Sequence, residues 1–317
     1  MSPADNMTAV EPVYIQTYKN GLLPDRIEKA YRILDACRLC PRSCGVDRNS
    51  EQTGICKTGK DALISSYAPH FGEEAPLVGE NGSGTIFFTH CNLLCNFCQN
   101  YSISHEGCGQ PVSSEQLAAI MMQLQKRGCH NINFVTPSHV VPQILAALEI
   151  AIADGLSIPL VYNSSGYDHV DSLKLLEGII DIYMPDFKFW DPAVAEMTCN
   201  AGDYPDVARK ALLEMHRQCG DLASDKTGIA RCGLLIRHLV LPQGMAGTRE
   251  VMRFIARKIS RNSYVNIMSQ YHPCGRADEI EALSVSVSHS EFRQALQVAR
   301  DEGINRLDKP RRVFMMG

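Results

Sequence analysis

From Gly84 onward the sequence alternates short runs of β-branched and aromatic residues with segments of helical period. Parallel neighbours need a crossover long enough to hold a helix, so this alternation constrains the chain to an α/β fold with a mostly parallel sheet wrapped by helices. Six runs read as strands: Thr85–Thr89, Asn131–Val135, Pro159–Asn163, Ile179–Met184, Gly233–Leu241 and Tyr264–Ser269. Helical segments lie between them. In Ser113–Arg127, Ser113 and Gln116 have the spacing of a capping box, and Pro142–Asp154 is stopped by Gly155. Right-handed crossovers bring the C-terminal ends of such strands to one face, so polar residues at strand ends converge there. The first 80 residues lack this rhythm and lead into a Gly-rich link, Gly79–Gly84, which divides the chain into an N-terminal segment, 1–80, and a β/α core, 81–317.

Directly after the first strand, Cys91, Cys95 and Cys98 stand in a C-x3-C-x2-C arrangement. Thiolates are the usual ligands of iron–sulfur clusters, and three of them leave one iron of a cubane open to a cofactor. The alternative is a zinc knot with His90, His105 or Cys108 as fourth ligand. Upstream, Cys37, Cys40, Cys44 and Cys56 form C-x2-C-x3-C-x11-C, enough thiolates to close a second metal site, either zinc or iron–sulfur. The chain has 13 cysteines, and their odd number and local clustering suit metal ligation in a reducing compartment better than disulfides. Cys108, Cys129, Cys199, Cys219, Cys232 and Cys274 read as small buried hydrophobes, although Cys274, close to His272, could also reach a substrate.

A formal charge of −4 gives no basic excess, so nucleic acid is not an expected partner. The start, MSPADNMTAVEPVYIQ, has no basic region followed by an apolar core, and no later run reaches 18 apolar residues. The expectation is a soluble, cytoplasmic protein without membrane association.

The loop CNLLCNFC, with an aromatic before its last cysteine, resembles the signature of the radical S-adenosylmethionine (SAM) superfamily. The closer likeness is to pyruvate formate-lyase activating enzyme and its relatives with an N-terminal cysteine module. It covers about residues 82 to 275. Met184–Lys188 (MPDFK) is similar to the family's Asp-x-Lys strand, Arg237–Gly244 (RHLVLPQG) to its Arg strand, and Tyr271–Gly275 (YHPCG) to its Tyr-His element. The resemblance implies a partial (β/α)6 barrel, a [4Fe-4S] cluster on Cys91, Cys95 and Cys98, and SAM held by Asp186, Lys188 and His272. Asn163, Ser164 and Ser165 close the third strand with polar side chains suited either to ribose hydroxyls or the methionine carboxylate, or to a helix N-cap and turn. Many relatives carry a Gly-Gly-Glu-like segment at strand two for the SAM ammonium; this chain reads FVTPS, where backbone carbonyls or the hydroxyls of Thr136 and Ser138 could accept those bonds instead.

Three functions are consistent with this reading. One is an activase that takes hydrogen from a glycine Cα of a partner glycyl radical enzyme. Another turns the same radical chemistry on a peptide, small metabolite or RNA. The last is a non-catalytic iron–sulfur electron-transfer protein, which has no need for a polar mouth of ribose and carboxylate size. The enzymatic readings imply a low-potential electron donor such as flavodoxin or ferredoxin.

Overall fold

The structure, a computed structural model, describes residues 11–50 and 52–308. Residues 1–10, which carry most of the start examined for a leader, lie outside the described residues. Among the described residues no helix is long and apolar enough to cross a membrane.

Among the described residues ten strands build one sheet: β1 Ala62–His70, β2 Ser83–Phe88, β3 Gln110–Val112, β4 Ile132–Val135, β5 Leu160–Ser164, β6 Ile182–Pro185, β7 Ala223–Ser224, β8 Ala230–Leu239, β9 Tyr264–Met268 and β10 Arg306–Leu307. Their order is β10-β9-β8-β6-β5-β4-β2-β1-β3, with β7 paired to β8. The run β2-β4-β5-β6-β8-β9 is parallel throughout and corresponds to the six strands expected from the sequence. The fold is therefore mixed α/β with a partly open sheet, the partial barrel expected from the sequence.

Helix Ser114–Lys126 begins at the expected capping box: Gln116 N donates to Ser113 Oγ at 3.2 Å, and Ser113 N to Gln116 Oε1 at 2.9 Å. Its buried face, Leu117, Met121 and Leu124, has the i, i+4, i+7 spacing of one helical stripe. Helix Val141–Ala153 ends before Gly155, whose φ of +95° suits a residue without Cβ.

β1 was not expected. It pairs antiparallel with β2, so the sheet runs across the line drawn at residue 80. Only its first residues are buried, which leaves little hydrophobic signal of a strand. The N-terminal segment also ties itself to the opposite end of the barrel. Val13 N donates to Asp181 Oδ1 at 2.8 Å, Tyr14 Oη to the Ile158 carbonyl at 2.9 Å, and Thr17 Oγ1 to the Gly178 carbonyl at 2.7 Å. Asp181 also accepts Leu160 N at 2.8 Å; burial pushes its carboxyl up to about 7.

Candidate functional site

The C-terminal ends of the parallel strands enclose a cavity of about 400 Å3, within the range of small-molecule pockets. One wall is the loop after β2. Cys91, Cys95 and Cys98 all line the cavity. The loop is folded by its own polar groups: Leu93 N donates to Cys91 Sγ at 3.3 Å, Cys98 N to the Cys95 carbonyl at 3.2 Å, and Asn92 Nδ2 to the Tyr167 carbonyl at 2.7 Å. Phe97 anchors it, its ring edge-on to Phe189 at 6.0 Å and to Tyr271 at 5.8 Å.

The thiols differ from free cysteine. Burial, with Cys95 and Cys98 adding, pushes Cys91 up to about 12. Burial likewise raises Cys98, while Cys95 is raised first by hydrogen bonding to Cys199 and then by burial. Protonated thiols are the stable state of this loop on its own, and a cationic core is what would draw them to thiolates.

Opposite the loop, alternation along β6 and β8 sorts side chains between cavity and core. Asp186 and Lys188 face the cavity while Phe187 and Phe189 are buried behind it. Arg237 and Leu239 face it from β8, whereas His238 turns away to Phe187 O at 2.7 Å and Thr248 Oγ1 at 3.0 Å. Asp186 sits in bridge register with Arg237, so its carboxylate takes Arg237 Nε at 2.7 Å on Oδ1 and Lys188 Nζ on Oδ2. Arg237 also donates to Asn163 Oδ1 at 2.7 Å. Burial alone would raise Asp186; Arg237 and Lys188 outweigh it and hold the carboxyl below its ordinary range. Lys188 is raised in turn, chiefly by Asp186 and Cys95 against the opposing effect of burial. Tyr204 Oη accepts Lys188 N at 2.8 Å and fixes the segment from behind.

Asn163, Ser164 and Ser165 line the cavity as the sequence suggested. Ser164 Oγ, however, donates to buried Asp168 at 2.6 Å, which leaves Asn163 and Ser165 as the more available groups. Gly166 is required here: its φ is +74°, and a Cβ would lie 2.2 Å from the Asp186 carbonyl oxygen. Thr136 lines the cavity, whereas Ser138 does not.

His272 departs from expectation. It is exposed and absent from the cavity wall, with Nδ1 3.1 Å from the Gln270 carbonyl. Tyr271 is the residue turned inward, its Oη donating to the Leu283 carbonyl at 2.6 Å, and its neighbour accordingly faces out. From this end of the sheet the lining comes from Met268 and Gln270. Cys274 and His105 are half-buried and off the wall, Cys108 is exposed and also off it rather than a buried hydrophobe, and His90 lines it. Sequence reasoning passed over Arg237 as a site residue, although its Arg strand was recognised. It also missed Glu73, which lines the cavity beside His70 at 2.8 Å. Burial would raise Glu73, but His70 and Arg237 more than offset this and hold it low.

Cys37, Cys40, Cys44 and Cys56 meet around a second, small cavity of about 10 Å3, together with Arg48 and His139. Burial, then the neighbouring Cys56, pushes Cys40 up to about 12. Among the described residues no three Cys, His, Asp or Glu side chains already stand in position to share a single metal ion, here or at the first loop.

The model of the radical SAM superfamily matches residues 85–222. An uncharacterized protein of Methanocaldococcus jannaschii is 31% identical over 293 residues, covering 90% of this chain and 80% of that protein. Among solved structures, HydG, a maturase of the [FeFe]-hydrogenase, is similar with a TM-score of 0.47 and 15% identity over 90% of this chain. The cobalamin-dependent SAM radical enzyme OxsB, solved with aqua-cobalamin and SAM bound, gives a TM-score of 0.38 and 14% identity over 72% of this chain. The chain spans 56% of the first of these structures and 31% of the second. With the family match beginning in the strand before the cysteine loop and running through the Asp186–Lys188 segment, the chain belongs to the radical SAM superfamily.

Proposed function

We propose that the protein binds SAM beside a [4Fe-4S] cluster on Cys91, Cys95 and Cys98 and abstracts hydrogen from a glycine Cα of a partner enzyme. Membership of the superfamily implies an enzyme, the cluster and SAM. Held by Cys91, Cys95 and Cys98, a reduced cluster would supply one electron for cleavage of SAM bound beside it, the chemistry from which hydrogen abstraction follows. The observation that carries the cluster and SAM is one cavity lined by three cysteines on one side and by Asn163, Ser165, Asp186 and Lys188 on the other; the glycine target rests on the resemblance to pyruvate formate-lyase activating enzyme alone. The donor set fits the implied groups: three soft thiols for iron, and a cation, a carboxylate, an amide and a hydroxyl for an amino acid head and a ribose.

The chain's own residues bind, orient and exclude water. Lys188 offers its ammonium to a carboxylate, Arg237 keeps Asp186 ionised, and Thr136, which lines the cavity, offers a hydroxyl oxygen to the SAM ammonium. Leu93, Leu94, Phe88 and Phe97 supply apolar wall around the cysteines. A second metal, zinc or iron–sulfur, belongs to the N-terminal cysteine pocket. The electron donor is a low-potential protein such as flavodoxin or ferredoxin, and the setting is the reducing cytoplasm.

The test is anaerobic reconstitution with iron quantitation and electron paramagnetic resonance of the reduced protein with and without SAM. Assay of 5′-deoxyadenosine in the presence of candidate glycyl radical enzymes follows. A SAM-dependent change in the signal and stoichiometric 5′-deoxyadenosine are expected. Reconstituted cluster without SAM cleavage would remove the enzymatic reading. Cleavage that never yields a glycyl radical in any partner would remove the activase.

A further inference from the structure

The four N-terminal cysteines share their cavity with His139, which is 1% exposed. Its Nε2 lies 2.9 Å from the Thr89 carbonyl, which can only accept, so the ring proton sits on Nε2. Nδ1 of the neutral ring is then a bare lone pair, and it is buried without a partner. A buried orphan nitrogen beside a group of thiols calls for an ion. A carbonyl holding the far nitrogen is also the arrangement that orients metal-ligating histidines.

Arg48, likewise 1% exposed, lines the same cavity. It donates to the carbonyls of Gly59 and His139, and Nη1 lies 3.9 Å from Cys37 Sγ; no carboxylate is among these partners. A buried guanidinium without a carboxylate needs negative charge from elsewhere, and the thiolates are what the cavity offers. Cys37, Cys40 and Cys56 are buried, each 6% exposed. Cys44 is half-buried, and its Sγ already takes the backbone N–H of Ile55 at 3.4 Å.

We infer that this pocket binds a thiophilic dication, zinc or an iron–sulfur core, through Cys37, Cys40, Cys56 and His139 Nδ1, with Arg48 as its counter-charge and Cys44 outside the ligand set. The inference rests on the reading of the N-terminal cysteines as a metal module. Charge supports the choice of donors. A dication with three thiolates and one neutral imidazole carries a single negative charge, which the one guanidinium cancels; a fourth thiolate would leave an uncompensated charge in a buried site. Binding of zinc, or transfer of a preformed core, releases three thiol protons to solvent and involves no change of oxidation state.

The experiment uses the full chain with Cys91, Cys95 and Cys98 all replaced by Ala, purified anaerobically, so that the metal counted belongs to the N-terminal pocket. Elemental analysis should find about one zinc, or about four irons for a cubane, per chain. The ligand set is then read without altering the pocket. X-ray absorption at a zinc edge should show three sulfurs at about 2.3 Å and one nitrogen at about 2.0–2.1 Å. For an iron–sulfur core, pulsed resonance of the reduced cluster should show a nitrogen coupling. In the same background His139→Gln, whose amide can still donate to the Thr89 carbonyl, should lower metal occupancy about tenfold or more, and Cys44→Ser should leave it unchanged. A four-sulfur shell, or metal lost in Cys44→Ser and kept in His139→Gln, overturns this ligand set while the metal site stands. Absence of zinc and iron from the parent variant overturns the metal reading as well.

Discussion

Arg237 Nε lies 2.7 Å from Asp186 Oδ1, and the other oxygen of the same carboxylate is held by Lys188. One buried anion is thus shared by two cations that arrive from different strands. Replacing Arg237 by Met leaves Asn163 Oδ1 without its donor and shifts the charge balance of a desolvated site. Loss of one partner from a buried pair costs about 3–5 kcal/mol. The denaturant midpoint of the metal-free chain should fall accordingly, and a midpoint equal to that of the unaltered protein would show that the trio contributes nothing to stability.

Lys188 and His272 separate what resemblance joined. Lys188→Met should weaken SAM binding by about 1.5–3 kcal/mol, the worth of a charged hydrogen bond, without loss of the cluster. His272→Ala should leave the SAM dissociation constant unchanged, because the ring is exposed and off the cavity wall. Calorimetric titration of both reconstituted variants decides it. A weakened His272→Ala would mean that the segment Gln270–Gly275 moves inward when SAM binds.

Any single Ala at Cys91, Cys95 or Cys98 should strip the iron assigned to the first cluster and with it all 5′-deoxyadenosine formation, since three thiolates are the minimum for a cubane with one open corner. Iron content and nucleoside assayed on the same sample check the two losses together. Reductive SAM cleavage surviving in any of the three variants removes that residue from the ligand set.

Asp181 predicts a pH dependence. Its carboxyl is raised by burial to about 7 in the folded chain, so the folded state holds a proton that the unfolded state has already released. Its contribution is complete below the ordinary carboxylate range and is lost as pH rises toward 7. Urea midpoints should therefore decline between about pH 4 and pH 7, and this part of the decline should disappear in Asp181→Asn. A parallel decline in the variant would place its cause elsewhere.

The parallel strands were legible because each is a short β-rich run between helical segments, and the first cysteine group because three thiols follow directly on a strand. Asp186 and Lys188 were legible for a related reason: at i, i+2 on a strand end, backbone alternation sets both side chains on one face. β1 was not, since beyond Ile64 its residues, Ser65 to His70, alternate half-buried with exposed positions and give no apolar run. His272 shows the limit of a motif, which specifies neighbours in sequence but not which of two adjacent side chains the chain turns inward. His139 could not be read at all. Its place beside Cys37 and Cys56 depends on the β4 loop returning to a segment far from it in sequence, and nothing in TPSHVV marks that return.

Arg42, inside the N-terminal cysteine group, donates to the carbonyls of Asn92 at 3.0 Å, Leu93 at 3.0 Å and Cys199 at 2.7 Å, and to that of Asn200, while its guanidinium stacks 5.3 Å over the Tyr167 ring. One guanidinium thus joins three parts of the chain that lie far apart in sequence: the N-terminal cysteine group, the cysteine loop after β2 and the end of the helix Pro192–Cys199. The shape in which that loop presents Cys91, Cys95 and Cys98 to the cavity is therefore a property of the whole chain and not of the loop's own sequence.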